Sequence, residues 1–139
     1  MKYYNVATLL ILLSFCSCAQ AANRTWIVKH TEGSGEARVT RAYFATEAEL
    51  AQCPLWDGNG EPQFTMAQAI DVARRRLSVN SGSSTNHVLG ISLHPISPIG
   101  DDYHGKYRWY YQVTLSTTDG AYGTVIMLMN GHIIEPEIE

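Results

Sequence analysis

The sequence predicts an α+β domain, with one main amphipathic helix packed on an antiparallel β-sheet, an N-terminal hairpin and a short extra helix. The main helix is indicated by apolar residues spaced at i, i+3, i+4 and i+7 between residues 66 and 77. The sheet is indicated by apolar and polar residues that alternate along residues 107–115. Asp119-Gly120 and Asn130-Gly131 are typical two-residue hairpin turns, and they favour antiparallel pairing.

Residues 1–21 have the three parts of a secretory signal peptide. Lys2 gives a short positive start, residues 6–15 form an apolar core, and Ala19-Gln20-Ala21 offers a small-residue cleavage site. The apolar core is shorter than the roughly 20 residues that a membrane-spanning helix needs. We therefore expect a secreted or periplasmic protein whose mature form, residues 22–139, is a single α+β domain without a transmembrane span.

A second interpretation of the N-terminus is a bacterial lipoprotein signal that ends at Cys18. Lipid on Cys18 would hold the protein at a membrane surface. Cleavage after Ala21 is favoured, because Phe15 and Cys16 stand where such a signal usually has smaller or aliphatic residues. That cleavage leaves Cys53 as the one remaining cysteine, so the mature fold has no internal disulfide and depends on its core.

The mature length and charge restrict the classes of function. A chain of 118 residues is long enough for one hydrophobic core. Loss of Lys2 with the signal peptide leaves 13 acidic and 9 basic residues, a net charge of −4. This acidic balance argues against a nucleic-acid partner.

The first half of the mature chain predicts a hairpin followed by a short helix. Residues 24–31 and 37–44 have the composition of two strands joined by a glycine-rich turn. Thr46 and Glu49 form a capping box, which begins a helix that Pro54 ends.

The second half predicts the main helix and then strands. Thr65 and Gln68 form the second capping box, and Met66, Ala69, Ile70, Ala73 and Leu77 make the apolar stripe. Strands are predicted over residues 87–94, 106–117, 123–129 and 132–134, followed by an acidic tail.

From residue 64 to residue 135 the predicted order is helix, strand, strand, strand. The helix opens with Phe64-Thr-Met-Ala-Gln-Ala-Ile-Asp-Val-Ala-Arg, and the last strand turns at Asn130-Gly131 before Ile133-Ile134. This pattern resembles PepSY-like domains over about half of the chain, except that those domains usually show an Asp and a Thr-Gly near this last turn. The resemblance implies one helix lying across an antiparallel sheet. Some members are linked to protease propeptides, so it also implies binding or inhibition of peptidases, and it implies no catalytic residues.

Two groups of residues are candidate binding sites. Asp101, Asp102 and His104 place two carboxylates and an imidazole in one predicted loop, which would suit acid–base chemistry, cation binding or plain solvation. Tyr110 beside Arg108 is predicted on the opposite face of its strand from the main aromatic row, where the pair would form a surface recognition patch.

No metal, cofactor or catalytic residue is predicted. The five histidines lack the close spacing of zinc ligands. Cys53 precedes a proline and a Leu-Trp pair, as a buried small hydrophobic residue would.

These observations favour an exported binding or regulatory module that is not an enzyme, with a protein or peptide partner. The PepSY-like resemblance implies that this partner is a peptidase. Two alternatives remain open. One is a small extracytoplasmic enzyme that uses Asp101, Asp102 and His104. The other is a lipid-anchored envelope protein with a structural role, held by Cys18.

Overall fold

Seven strands and two helices make up the part of the chain that the computed structural model describes, which is residues 23–32, 35–81, 87–96, 105–116 and 122–139. The strands are β1 (Arg24–Glu32), β2 (Val39–Thr46), β3 (His87–Ile96), β4 (Arg108–Ser116), β5 (Tyr122–Leu128), β6 (Ile133–Ile134) and β7 (Pro136–Ile138). The helices are α1 (Glu47–Gln52) and α2 (Met66–Ser81), and a 3-10 turn spans Gly35–Ala37. The predicted signal peptide and Cys18 lie outside the described residues.

The strands form two antiparallel sheets, so the predicted α+β class with one main helix on a single sheet is wrong. Sheet 1 has the order β1-β2-β7, and sheet 2 has the order β3-β4-β5-β6. The described chain is mostly β, and its two helices are short, 6 and 16 residues. The segment predicted as an acidic tail contributes a strand, β7.

The helix prediction overestimated how much α2 contributes to the core. Both capping boxes form: the Glu49 amide donates to Thr46 Oγ1 at 3.2 Å, and the Gln68 amide donates to Thr65 Oγ1 at 3.3 Å. Of the predicted stripe, however, only its two alanines are fully buried, while Met66 at its start is exposed. Alanine buries little apolar area, so α2 covers sheet 2 without supplying the bulk of the core.

Strands supply the large side chains of the core. The largest fully buried ones are Tyr43, Tyr111, Leu115, Ile126, Met127, Leu128, Met129 and Val113. β5 is buried along its second half on both faces, as its continuous apolar sequence predicts for a central strand. One hydrophobic cluster includes residues of both sheets, among them Ile27 and Tyr43 of sheet 1 and Tyr110 and Leu128 of sheet 2.

The C-terminal segment joins the two sheets. Ile134 in β6 pairs with Ile126 of β5. Two residues later Pro136 in β7 pairs with Tyr43 of β2. The chain therefore passes from sheet 2 to sheet 1 at Glu135, and β6 and β7 act as two stretches of one extended strand.

Candidate functional site

The two sheets separate at the end where β1 finishes and β5 begins, and this leaves an open groove, here called the cleft. It consists of two adjoining cavities of about 260 Å³ and about 420 Å³. Glu32, Tyr122 and Thr124 line both cavities, so they lie where the two meet. The first cavity is lined by Glu32, Arg41, Tyr43, Arg76, Leu77, Tyr122, Gly123, Thr124, Val125, Ile133, Ile134, Glu135 and Pro136. The second is lined by His30, Thr31, Glu32, Thr114, Tyr122 and Thr124.

The sheet 1 wall of the cleft changes from apolar to charged along one face. Val28 opposite Tyr43 is followed on the same face by His30 opposite Arg41, since alternate residues of a strand share a face. Glu32 is the next residue on that face. Its carboxylate lies 3.5 Å from Arg41 Nε and 3.7 Å from His30 Nε2, so the wall ends in a charged cluster.

Tyr43 lies at the base of this wall, with only 2% of its surface exposed. Burial raises the pKa of its hydroxyl, the positive charge of Arg41 lowers it, and the negative charges of Glu32 and Glu135 raise it. All three charged residues line the cleft, so the charged groups of the cleft act electrostatically on the hydroxyl. Tyr43 stays a neutral phenol at neutral pH, able to donate or accept a hydrogen bond.

The opposite wall is formed by the start of β5 and the C-terminal half of α2. A side-chain carbon on Gly123 would lie 2.8 Å from Leu77 Cδ2, so only glycine lets α2 approach β5 this closely. Arg76 on the same turn of α2 donates to the Glu135 carboxylate at 2.5 Å. Tyr122, at the rim, is 71% exposed, the largest exposed fraction of any described tyrosine.

This arrangement suits binding of a polar ligand without a strong net charge. The arginines and glutamates of the cleft face each other in two pairs, Arg41 with Glu32 and Arg76 with Glu135. Within each pair the positive and negative charges balance. The outer nitrogen and oxygen atoms of the two side chains can still donate and accept hydrogen bonds. The exposed Tyr122 adds an apolar ring with a polar tip, a combination common at recognition surfaces.

The other end of the two sheets is closed by the segment between α1 and α2. The Trp56 backbone exchanges two hydrogen bonds of 2.9 Å with Tyr107, and Trp109 Nε1 donates to the Trp56 carbonyl at 2.9 Å. The two tryptophan rings lie 5.2 Å apart. The Tyr111 hydroxyl donates to the Phe64 carbonyl at 2.5 Å. At this end, here called the closed end, the Trp109 indole and the Tyr111 hydroxyl are therefore paired with backbone carbonyls.

Of the predicted binding residues, the two that the structure describes, Arg108 and Tyr110, do not line the cleft. Asp101, Asp102 and His104 lie outside the described residues, so the enzyme alternative that uses them stays a prediction. Arg108 is half-buried, at the start of β4. Tyr110, which we expected on the surface, is only 7% exposed, and its ring stacks on His94 at 5.2 Å. Its strand face is covered because a second sheet is present, which the single-sheet prediction did not include.

The buried cysteine is placed as a small core residue. Cys53 is buried, with its Sγ 3.6 Å from the Trp109 carbonyl. Burial raises the pKa of the thiol, which disfavours the reactive thiolate. In the described ranges, no three His, Cys, Asp or Glu side chains are grouped so as to hold a metal ion.

Sequence reasoning missed the residues of the cleft. Arg41 belongs to a predicted strand, whereas Glu32 was predicted in the turn after residues 24–31, and a shared binding wall was not identified. Extending the alternation of residues 24–31 by one residue would have placed His30 and Glu32 on one face, which is the available local signal. Nothing local indicates that Tyr122 and Arg76 lie across from them, because that depends on how the two sheets meet.

Comparison with known proteins gives no independent information on this cleft: no protein-family model, no curated protein and no solved structure matches the chain. Among the described helices, none is both long and apolar enough to span a membrane.

Proposed function

We propose that the chain is an exported binding or regulatory module that is not an enzyme, and that it binds its partner in the cleft between the two sheets. The observation that carries this proposal is the cleft itself, which combines an exposed Tyr122 with a base formed by Tyr43. Concave sites with a few converging polar groups are the usual location of ligand binding.

The charges of the cleft favour binding over acid–base catalysis. Arg41 and Glu32 face each other at 3.5 Å, and Arg76 and Glu135 at 2.5 Å. A carboxylate that is paired with an arginine is held in a fixed orientation. Such a pair suits the orientation of a ligand better than the transfer of a proton to it.

A peptidase is the partner class that we propose first, and this rests on the PepSY-like resemblance of residues 64–135. The two adjoining cavities of the cleft, about 260 Å³ and about 420 Å³, form one open groove. An open groove between two sheets suits a short segment of a protein.

Affinity capture from the culture fluid of the source cells tests the proposal. Three immobilised proteins are compared: the wild type, Tyr122→Ala at the rim of the cleft, and Leu89→Ala as a control. Leu89 is also exposed, at 54%, but it lies on β3 and does not line the cleft. We expect a partner that the wild type and Leu89→Ala retain and that Tyr122→Ala binds about tenfold more weakly, as for a central aromatic contact. If the partner is a peptidase, adding the soluble wild-type protein should lower its activity.

Equal retention by all three proteins would place the binding surface elsewhere and contradict the proposal. The absence of any retained partner under conditions where circular dichroism shows a folded protein would also count against it.

A further inference from the structure

β5 presents an unpaired backbone edge to the cleft. β4 pairs with β5 along its whole length, from Tyr122 to Leu128. β6, on the other side, pairs only with Ile126 and Met127. In the described part of the chain no strand lies beside residues 122–125 on that side, and all four of these residues line the cleft.

The hydrogen bonds of β5 show which backbone groups point to this edge. The Leu128 amide donates to the His132 carbonyl at 2.8 Å, so the backbone groups of Leu128 point to the β6 side. In an antiparallel strand every second residue directs its N–H and C=O to the same side. Ile126, Thr124 and Tyr122 therefore point the same way, and the last two direct their donors and acceptors into the cleft.

Pro136 explains why the C-terminal segment of the chain does not cover this edge. The register pairs Ile126 with Ile134, so the next hydrogen-bonded position, opposite Thr124, would be that of Pro136. Proline has no N–H and cannot complete that pair.

Pairing with sheet 1 does not need the missing N–H. The Glu139 amide donates to the Thr40 carbonyl at 3.1 Å, so odd-numbered residues of this segment direct their backbone groups to β2. The strand can therefore continue along β2 with proline at position 136. As a result β2 gains a neighbour, while Thr124 and Tyr122 keep their outward N–H and C=O groups available.

We propose that the partner enters the cleft as an extended peptide segment of another protein, which adds a strand to β5 beside residues 122–125. This inference rests on the proposed function of the cleft. In strand addition, main-chain hydrogen bonds give affinity and pockets for alternate side chains give specificity. Here the main-chain bonds would be made to Thr124 and Tyr122.

The two walls of the cleft then contact alternate side chains of the peptide. Side chains opposite Tyr122 and Thr124 face the cavity that these residues share with Glu32 of sheet 1. Side chains opposite Gly123 face Leu77 of α2, which contacts Gly123.

A single strand suits this site better than the edge of a second copy of the chain. Residues 133–136 line the far side of the cleft, so a strand placed beside β5 has the C-terminal segment next to it. A folded sheet from a second copy would bring its neighbouring strand into the same space.

A backbone-methylation scan tests the inference. Peptides are first selected from a displayed random library on the immobilised exported protein, and the best one is synthesised with one N-methyl group at each position in turn. Strand addition predicts a period of two: methylation at every second position weakens binding about tenfold or more, and methylation between them has little effect.

The protein side is tested by amide hydrogen exchange and by two variants at one position. On peptide binding, exchange should slow at the amides of Tyr122 and Thr124, and stay unchanged at Gly123 and Val125, whose amides face β4. Thr124→Pro removes the edge donor and should lose binding, whereas Thr124→Val keeps the donor and should bind like the wild type. If Thr124→Pro does not fold, the exchange pattern and the methylation scan decide.

The outcomes separate this inference from the proposed function. A bound peptide that Tyr122→Ala weakens, but whose methylation scan shows no alternation, would overturn strand addition and leave the cleft as the binding site. Binding that Tyr122→Ala does not affect would contradict both. Failure to select any peptide would overturn the inference alone, because the capture experiment then decides the function. Protection of the Tyr122 and Thr124 amides that depends on protein concentration, without peptide, would assign the edge to a second copy and also overturn it.

Discussion

The closed end and the cleft lie at opposite ends of the same two sheets, and they treat polar groups in opposite ways. At the closed end, Trp109 and Tyr111 direct their polar atoms to backbone carbonyls, and their rings pack against Trp56 and Phe64. At the cleft, the exposed ring of Tyr122 has no such aromatic neighbour among the described residues. Aromatic side chains therefore stabilise the fold at one end, and at the other end an aromatic side chain is available to a partner.

The largest effect that separates the two ends should come from one substitution made at each. Tyr111→Ala removes a fully buried ring and its hydrogen bond to Phe64, and we expect it to lower the free energy of unfolding by about 3–5 kcal/mol. Tyr122→Ala removes an exposed ring and should change the same quantity by less than about 0.5 kcal/mol. Urea unfolding followed by fluorescence measures both. Similar losses at the two positions would contradict the division between a stabilising end and a binding end.

A smaller effect is expected where α2 meets the wall of the cleft. Gly123→Ala would place a methyl carbon 2.8 Å from Leu77 Cδ2, so the Leu77 side chain or the helix that carries it must shift. We expect the free energy of unfolding to fall by about 1–3 kcal/mol, measured by thermal unfolding.

Gly90→Ala on β3 is the matched control. No heavy atom lies within 4 Å of its added carbon, and its backbone does not have the positive φ that favours glycine. We expect no loss there, or a gain of a few tenths of a kcal/mol from reduced freedom of the unfolded chain. A Gly123→Ala protein as stable as the Gly90→Ala protein would show that the helix–strand contact is looser than described.

The smallest expected effect is a loss of stability at low pH that comes from Glu49, at the closed end. The Thr46 amide donates to the Glu49 carboxylate at 2.7 Å, and this bond, with smaller contributions from the Thr46 hydroxyl and His132, lowers the pKa of Glu49. Because the pKa is lower in the folded chain, Glu49 stabilises the fold above the pKa it has when unfolded. That stabilisation is lost as the pH falls through the lowered pKa of the folded state.

Glu49→Gln should therefore be slightly less stable than the wild type at pH 7, and the difference should shrink as the pH falls below the usual pKa of a glutamate. Unfolding in urea at pH 7 and at pH 3 measures the difference. An equal difference at both pH values would show that the carboxylate charge makes no contribution. Glu47 lies two residues before Glu49 and is exposed, so Glu47→Gln serves as the control for general charge effects.

Local signals predicted most of the individual elements. The two capping boxes begin α1 and α2, and Asn130-Gly131 forms the turn before β6. In that turn Gly131 has a φ of 85°, and the Asn130 side chain accepts a hydrogen bond from the His132 amide. These features depend on residues that are close in sequence, which is why the sequence alone contains them.

The number of sheets could not be predicted in the same way. β7 pairs with β2 although Arg41 and Ile138 lie far apart in the sequence, and the glutamates at 135, 137 and 139 led us to predict an acidic tail there instead of a strand. The burial of Tyr110 and the position of the cleft both follow from this one long-range pairing. The proline at position 136 is a local signal that a strand pairing ends there. It does not indicate which strand the following residues pair with.

The shared strand also has a consequence for the order in which the chain folds. β1 and β2 can pair as soon as residues 24–46 are available, and β3 to β5 are likewise neighbours in sequence. Among the described residues, the segment that pairs with both sheets is the last one of the chain, and the Arg24–Glu137 ion pair closes a loop of 113 residues. Contacts of such high sequence separation form slowly. The two sheets should therefore form first as separate units, with Ile126 and Tyr43 still exposed to water, until the final residues bring them together.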